Sequence, residues 1–336
     1  MIVTQLEKVT VISCGGTIAS VVQSGVGAVP SRDIGELLSD IPSAAGIADV
    51  ETRAFKQVAS PHMTFKDLLG LAAAAKDAFA LGSSGVVITQ GTDTIEEIAF
   101  GLDLLWQGEF PIVVTGAMRN GSLPGADGPA NLVAALRVAA SREAHGLGAL
   151  VVMNDEIHAA RFVRKSHTTS PATFRSALTG PIGWIAENDV RVALRPARRF
   201  HVAASYDAEP LQVCLLKVSL GDDGRLLPYV MASGYAGLVI EGFGGGHLTR
   251  DIAESGLLET LLESMPVVLA SRAGSGELLR NTYGGFSGSE TDLIARGVIF
   301  SGALDGPKAR ILLTLLLMAD ADRKTIRQTF AEVGSL

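Results

Sequence analysis

Two glycine–threonine turns concentrate the reactive side chains of this sequence. The first, Cys14-Gly15-Gly16-Thr17-Ile18-Ala19, follows the β-branched run at residues 9–13. The second, Gln90-Gly91-Thr92-Asp93-Thr94, follows Val86-Val87-Ile88-Thr89. Each places a threonine hydroxyl at the carboxyl end of a short apolar run of strand type. Adjacent glycines let the backbone turn tightly and approach a ligand closely. Behind the second turn, Ile95, Ile98, Ala99, Leu102, Leu105 and Trp106 recur at the spacing of one helix face. A polar turn between strand end and helix start is where open α/β sheets bind ligands. The free N–H groups there suit a carboxylate or a developing oxyanion. Plainer readings stand beside these: Thr94 and Glu97 have the spacing of a capping box, and Gly15-Gly16 suffices for a simple β-turn.

A threonine is a weak nucleophile without a nearby base. A lysine serves when desolvation or a charged neighbour tunes it. Lys165, in the polar stretch at residues 160–170 with Arg161, Arg164 and His167, is a candidate. Sequence alone does not bring it to Thr92, and a solvated surface lysine is the simpler reading. Other chemistries fail on their patterns. No Gly-Lys-Ser/Thr phosphate loop is present. In the glycine-rich run from Gly242 to Gly246, His247 stands where a dinucleotide fingerprint needs its third glycine. Gly285-Phe286-Ser287-Gly288-Ser289 misses a nucleophile elbow by one residue. The six histidines do not fall at zinc spacing. Neither a metal nor an organic cofactor is expected.

The elements that must position these turns alternate between strand and helix. Helices are predicted at residues 33–41, 66–81 and from Pro129 to about Glu143, with strands at 112–115 and 149–153. Residues 21–31, rich in glycine and valine, read as an irregular loop. This alternation predicts a doubly wound, mainly parallel sheet in a larger N-terminal domain, residues 1–194. A linker at 195–211, marked by Pro196 and Pro210, leads to a smaller α/β domain at 212–336. Its strands are expected at 213–218, 238–241 and 267–270, and its closing helices at 307–319 and 322–333.

The chain's 336 residues are 47% hydrophobic and 19% charged, an ordinary globular composition with room for two domains. A net charge of −7 gives no support to a nucleic-acid or anionic-membrane partner. The basic cluster Arg191, Arg195, Arg198 and Arg199 reads as a solvated connector. Two distant cysteines, Cys14 and Cys214, make no disulfide framework and fit a reducing, cytoplasmic compartment. The first eight residues include Gln5, Glu7 and Lys8, without the pattern of a secretory signal. The apolar run at 312–318 is far below membrane-spanning length.

The two turns in this order resemble the two signatures of the bacterial-type L-asparaginase/glutaminase family. The likeness continues through Thr115-Gly116-Ala117-Met118-Arg119, the block from Ala126 to Leu132, Val152-Met153-Asn154-Asp155, Val163-Arg164-Lys165 and Lys308-Ala309-Arg310. The resemblance implies an amidohydrolase that splits asparagine to aspartate and ammonia through a threonine acyl-enzyme. It makes Thr17 the nucleophile, with Thr92, Asp93 and Lys165 as a second constellation in which Lys165 is the base toward Thr92. It assigns Ser60 to the substrate α-carboxylate and Asp93 to the α-amino group. Ala117 and Gly91 would contact the substrate through the backbone. Glu290 would reach the amino group from a neighbouring subunit, in a homodimer or homotetramer with shared sites. Dual glutaminase-asparaginase specificity and a non-catalytic amino-acid-binding relative are the alternatives. The chain begins almost at the first signature, which argues against a tRNA-dependent amidotransferase subunit.

The sequence departs from that family in places. Cys14 stands where threonine is usual, Gln90 where histidine is common, Pro61 for a glutamine and His247 for an asparagine. The loop at 21–31 carries no tyrosine, although the family loop usually supplies one to assist the nucleophile. Tyr283 is the one substitute considered.

Overall fold

The computed structural model describes residues 6–197 and 199–335. Gln5 and Arg198 of the segments named above lie outside the described residues. The chain divides into two compact units, Met1–His201 and Val202–Leu336.

The first unit is built on an eight-stranded sheet. Its parallel part comprises β1 (Lys8–Gly15), β4 (Asp49–Val58), β5 (Gly85–Thr89), β6 (Ile112–Thr115) and β7 (Ala149–Met153). Three antiparallel strands extend one edge: β8 (Glu156–Ala159), β11 (Gly183–Ala186) and β12 (Asp189–Val192). The spatial order is β12-β11-β8-β7-β6-β5-β1-β4. Every residue of β5 and β6 is buried, as continuous apolar strands covered on both faces must be. On one face Val9, Val11, Val87 and Val113 pack with α1 (Ile34–Ser39) and α4 (Gly128–Ala140). On the sheet also lie α2 (Phe65–Ala80), against β5, and α3 (Ile95–Leu105), against β6 and β7, and the two helices contact each other.

The chain leaves β1, places β4 on one side of it, and returns to place β5 on the other. The order therefore reverses between β1 and β5, which opens a crevice at their carboxyl ends. Both glycine–threonine turns sit there.

Residues 21–31 are not an irregular loop. They belong to an antiparallel ribbon of β2 (Ser20–Gln23) and β3 (Gly27–Pro30). Val21, Val22 and Val26 are all exposed, so the ribbon covers no apolar face and leaves no two-residue alternation to read. The predicted helix to about Glu143 ends at Ala140, and residues Arg142–Ala144 form a separate 3-10 turn. Among the described members of the basic cluster, Arg191 and Arg195 are exposed, as expected of a solvated connector, and Arg199 is the exception. Arg199 is partly buried, donates to the carbonyls of Gly108 and Trp106, and lies 3.6 Å from Asp103 Oδ1. Arg195 donates to the carbonyls of Glu143 and His145.

The second unit carries a four-stranded parallel sheet in the order β13 (Val213–Lys217), β14 (Gly237–Gly242), β15 (Val267–Ser271), β16 (Ile299–Phe300). The strand at 299–300 and four short helices between residues 227 and 296 were not predicted. The closing helices run over Gly306–Met318 and Arg323–Val333. Among the described residues, no helix is long and apolar enough to cross a membrane.

Candidate functional site

Glycine lets the two turns touch. Gly16 has φ +80°, and a Cβ added there would stand 2.1 Å from the backbone nitrogen of Gly91. Only a residue without a side chain, tolerant of positive φ, permits this contact. The first turn is tied by Ser20, whose hydroxyl donates to the Gly16 carbonyl at 2.9 Å. Thr17 then opens a 3-10 turn, half-buried, and no described residue is hydrogen-bonded to its hydroxyl. Cys14 is no rival nucleophile, since burial pushes its thiol up to about 12.

The second turn carries a denser network. Lys165 Nζ donates to Thr92 Oγ1 at 2.9 Å and to Asp93 Oδ1 at 2.5 Å. Thr92 is buried, while the Asp93 side chain is 57% exposed and free to meet a ligand. The lysine arrives from β9 (Arg164–Lys165), which pairs with β10 (Phe174–Arg175). Its backbone N–H donates to Glu96 Oε2 at 2.7 Å, at the start of α3. Ser60 closes the network: its hydroxyl accepts from Asp93 N at 3.2 Å and lies 3.4 Å from Asp93 Oδ2.

The capping box expected from Thr94 and Glu97 does not form. Thr94 precedes α3, but its side chain makes no cap hydrogen bond. Its hydroxyl donates to the Ser60 carbonyl and accepts from Gln90 Nε2, each at 3.3 Å. That tertiary pairing outcompetes the local one.

A cleft of ≈ 270 Å³ opens over these turns, lined by Gly16, Thr17, Ser20, Ala28, Ala59, Ser60, Pro61, Gly91, Thr92, Asp93, Met118, Lys165 and Thr168. It thus gathers Thr17, Ser60, Gly91, Thr92, Asp93 and Lys165 from the residues singled out in the sequence. Ala117 is fully buried in the core, and its neighbour Met118 forms the wall. Sequence reasoning missed Met118, Thr168 and Ala28. It also gave no role to Asp127 and Asn131, which fix the loop after β6. Asp127 accepts from the N–H groups of Met118 and Arg119, and Asn131 donates to the Gly116 carbonyl at 3.0 Å and accepts from Asn154 N. Two polar residues one helical turn apart beside an apolar helix face were the available signal.

Glu290 belongs to the second unit. It opens the helix Glu290–Arg296 and is fully buried. Burial pushes its carboxyl up, but the N–H donors of Tyr283 and Thr282 and the His247 ring outweigh that, so its pKa is lowered. His247 Nε2 lies 3.1 Å from Glu290 Oε2, with the Tyr283 ring edge-on to the histidine at 5.3 Å. Tyr283 is half-exposed.

Comparison with known proteins follows the same division. The family model described as "Asparaginase, N-terminal" matches residues 8–198. The model "Glutaminase/Asparaginase C-terminal domain" matches residues 212–330. A "Probable L-asparaginase periplasmic" of Haemophilus influenzae is 33% identical, over 97% of this chain and 93% of that protein. "L-asparaginase 2" of Bacillus subtilis is 33% identical, over 97% and 87%. The crystal structure titled "Probable Cytoplasmic L-asparaginase" from Campylobacter jejuni superposes with a TM-score of 0.87 at 30% identity, covering 97% of this chain and 99% of that one.

Proposed function

The chain belongs to the asparaginase family of amidohydrolases, and from that premise we propose that it is an L-asparaginase releasing L-aspartate and ammonia from L-asparagine. The observation that carries this reading is Lys165 Nζ held between Thr92 Oγ1 and Asp93 Oδ1, in a cleft that also exposes Thr17. A base, a hydroxyl and a carboxylate in contact, with a second hydroxyl nearby, are the parts a two-step amide hydrolysis needs. The cleft is smaller than the roughly 300–1,000 Å³ typical of drug-sized ligands, as suits a single amino acid.

In this scheme the Asp93 carboxylate receives the substrate ammonium, and the Ser60 hydroxyl with the N–H groups of the turn receives the α-carboxylate. Thr17 Oγ adds to the amide carbon, its proton passes to the departing nitrogen, and ammonia leaves. The resulting ester is opened by water. Thr92 takes a proton from that water as Lys165 takes one from Thr92, and Thr17 recovers its proton as aspartate departs. No metal or organic cofactor enters. Gly91 and the Ala117–Met118 backbone flank the reacting amide. The family resemblance assigns Glu290 to the ammonium site of a neighbouring copy, in a homodimer or homotetramer; in the single chain its carboxylate is buried and held by Thr282 N, Tyr283 N and His247, so it would have to turn outward to act there. Two free cysteines support a reducing, cytoplasmic setting.

A second assignment has its own support: Thr92, not Thr17, has a base in hydrogen-bond contact, so Thr92 is the alternative acylated residue. Glutamine is the alternative substrate, since one methylene changes pocket discrimination by only about 1–3 kcal/mol.

The test is ammonia release from asparagine and glutamine side by side, for wild type, Thr17→Val and Thr92→Val. We expect activity on asparagine and a loss of several orders of magnitude in each folded variant. Rapid-quench mass mapping of the acylated threonine separates the two assignments. Wild type releasing no more ammonia from either amide than the two valine variants would remove the enzyme reading.

A further inference from the structure

The cleft loop between β9 and β10 hangs on a histidine ring. Residues 166–173 connect the two strands, with Lys165 at one end and Thr168 inside, and both of these line the cleft. At the base of the loop, Ser166 N and Ser166 Oγ both donate to the Thr173 carbonyl, at 2.8 and 2.7 Å. One step in, Thr173 Oγ1 accepts from His167 N at 2.8 Å and donates to the His167 carbonyl at 2.5 Å. The apex has no such ladder. Its N–H groups, those of Thr169 and Ser170, both donate to His167 Nδ1, each at 3.1 Å. A single ring nitrogen therefore holds two successive amides of an exposed turn.

The chemistry of imidazole makes this arrangement conditional. A ring nitrogen that accepts hydrogen bonds carries no proton, so the tautomer must be the one with hydrogen on Nε2. We propose that His167 is a positioning residue whose ring Nδ1, by accepting from two successive backbone N–H groups, folds the 166–173 loop and so presents Lys165 and Thr168 to the cleft. This rests on the reading of Lys165 as part of the catalytic machinery. The charged groups held against the hairpin are Asp93 and Glu96, bonded to Lys165 from the facing turn and helix. Arg164 and Arg175 lie on the hairpin's own strands.

Two substitutions separate acceptor chemistry from mere bulk. His167→Asn retains a short side-chain acceptor that does not titrate, of the kind that closes turns by accepting backbone N–H groups. His167→Ala removes the acceptor at every pH. Wild type and both variants are assayed for kcat and KM on asparagine at about pH 8. Hydrogen exchange at the Thr169 and Ser170 amides is followed in the same buffer without substrate. At about pH 8, His167→Ala should lose about tenfold or more in kcat/KM through misplacement of Lys165, with His167→Asn within about threefold of wild type. The loss should fall on kcat more than on KM, with faster exchange at the two amides in His167→Ala and not in His167→Asn. Wild-type kcat in His167→Ala, or exchange at Thr169 and Ser170 indifferent to His167→Ala, would overturn the proposal. The exchange measurement needs no turnover. A protein inactive on asparagine but with protection at these amides lost in His167→Ala would retain the loop mechanism and discard the asparaginase reading.

Discussion

Acid should destabilise the first unit through His158. The side chain is 1% exposed on β8, with Nδ1 3.0 Å from Ser176 Oγ and Nε2 3.3 Å from Glu156 Oε2. Burial, helped by the positive charge of Arg175, lowers its pKa from 6.5 to about 4. The folded pKa is below the unfolded one. Between the two values the unfolded chain holds a proton that the folded chain refuses, so stability increases with pH there. The contribution is fully present above 6.5 and is lost as pH falls toward about 4. That interval corresponds to roughly 3 kcal/mol. The perturbation is His158→Gln, which keeps a polar side chain that cannot titrate. Urea unfolding followed by circular dichroism, at one protein concentration, would be run on both proteins from about pH 7 to about pH 4. At neutral pH the variant should be the weaker protein, having lost a fitted buried ring. On acidification the gap should close or reverse by about 3 kcal/mol, because only wild type must pay to charge a buried imidazole. Parallel stability curves would refute the reasoning and show that the folded protein accommodates the imidazolium, with Glu156 as its counter-ion.

Further outcomes concern the cleft. Lys165→Met should lower kcat by about 10²–10⁴ with little change in KM, because proton transfer belongs to the transition state; a pure KM effect would make Lys165 a binding residue. Gly16→Ala forces a methyl to 2.1 Å from Gly91 N, and steady-state kinetics should show a loss of at least about 100-fold in a protein that still folds. Wild-type kinetics there would mean the two turns separate freely. Mixing inactive Thr17→Val with inactive Glu290→Ala under subunit exchange should restore part of the activity if Glu290 acts across an interface. Demonstrated exchange without recovery would return Glu290 to a role within its own chain.

Local order along the chain determined much of this molecule. Strand, glycine turn and amphipathic helix follow one another at residues 86–105, and each step is dictated by neighbours within a few positions, so β5, the turn and α3 (Ile95–Leu105) were legible. The fully apolar strands already required a sheet covered on both faces. What local order does not contain is partnership at a distance. Lys165 and Thr92 are seventy-three positions apart, and only the sheet order, with the β9 hairpin against α3, brings them into contact. The same competition explains the failures. Thr94 has the right spacing for a cap, yet its hydroxyl donates instead to the carbonyl of the distant Ser60 and accepts from Gln90 of its own turn. Glu290 lies just past a glycine-rich, exposed stretch, yet two backbone donors and His247 satisfy its carboxylate and make burial tolerable. The ribbon at residues 20–30 buries no apolar face, so nothing in its pattern could announce it. Residue type and spacing decide which groups are available. Tertiary packing decides which of them meet, because a hydrogen bond needs its partners within about 3 Å whatever their separation along the chain.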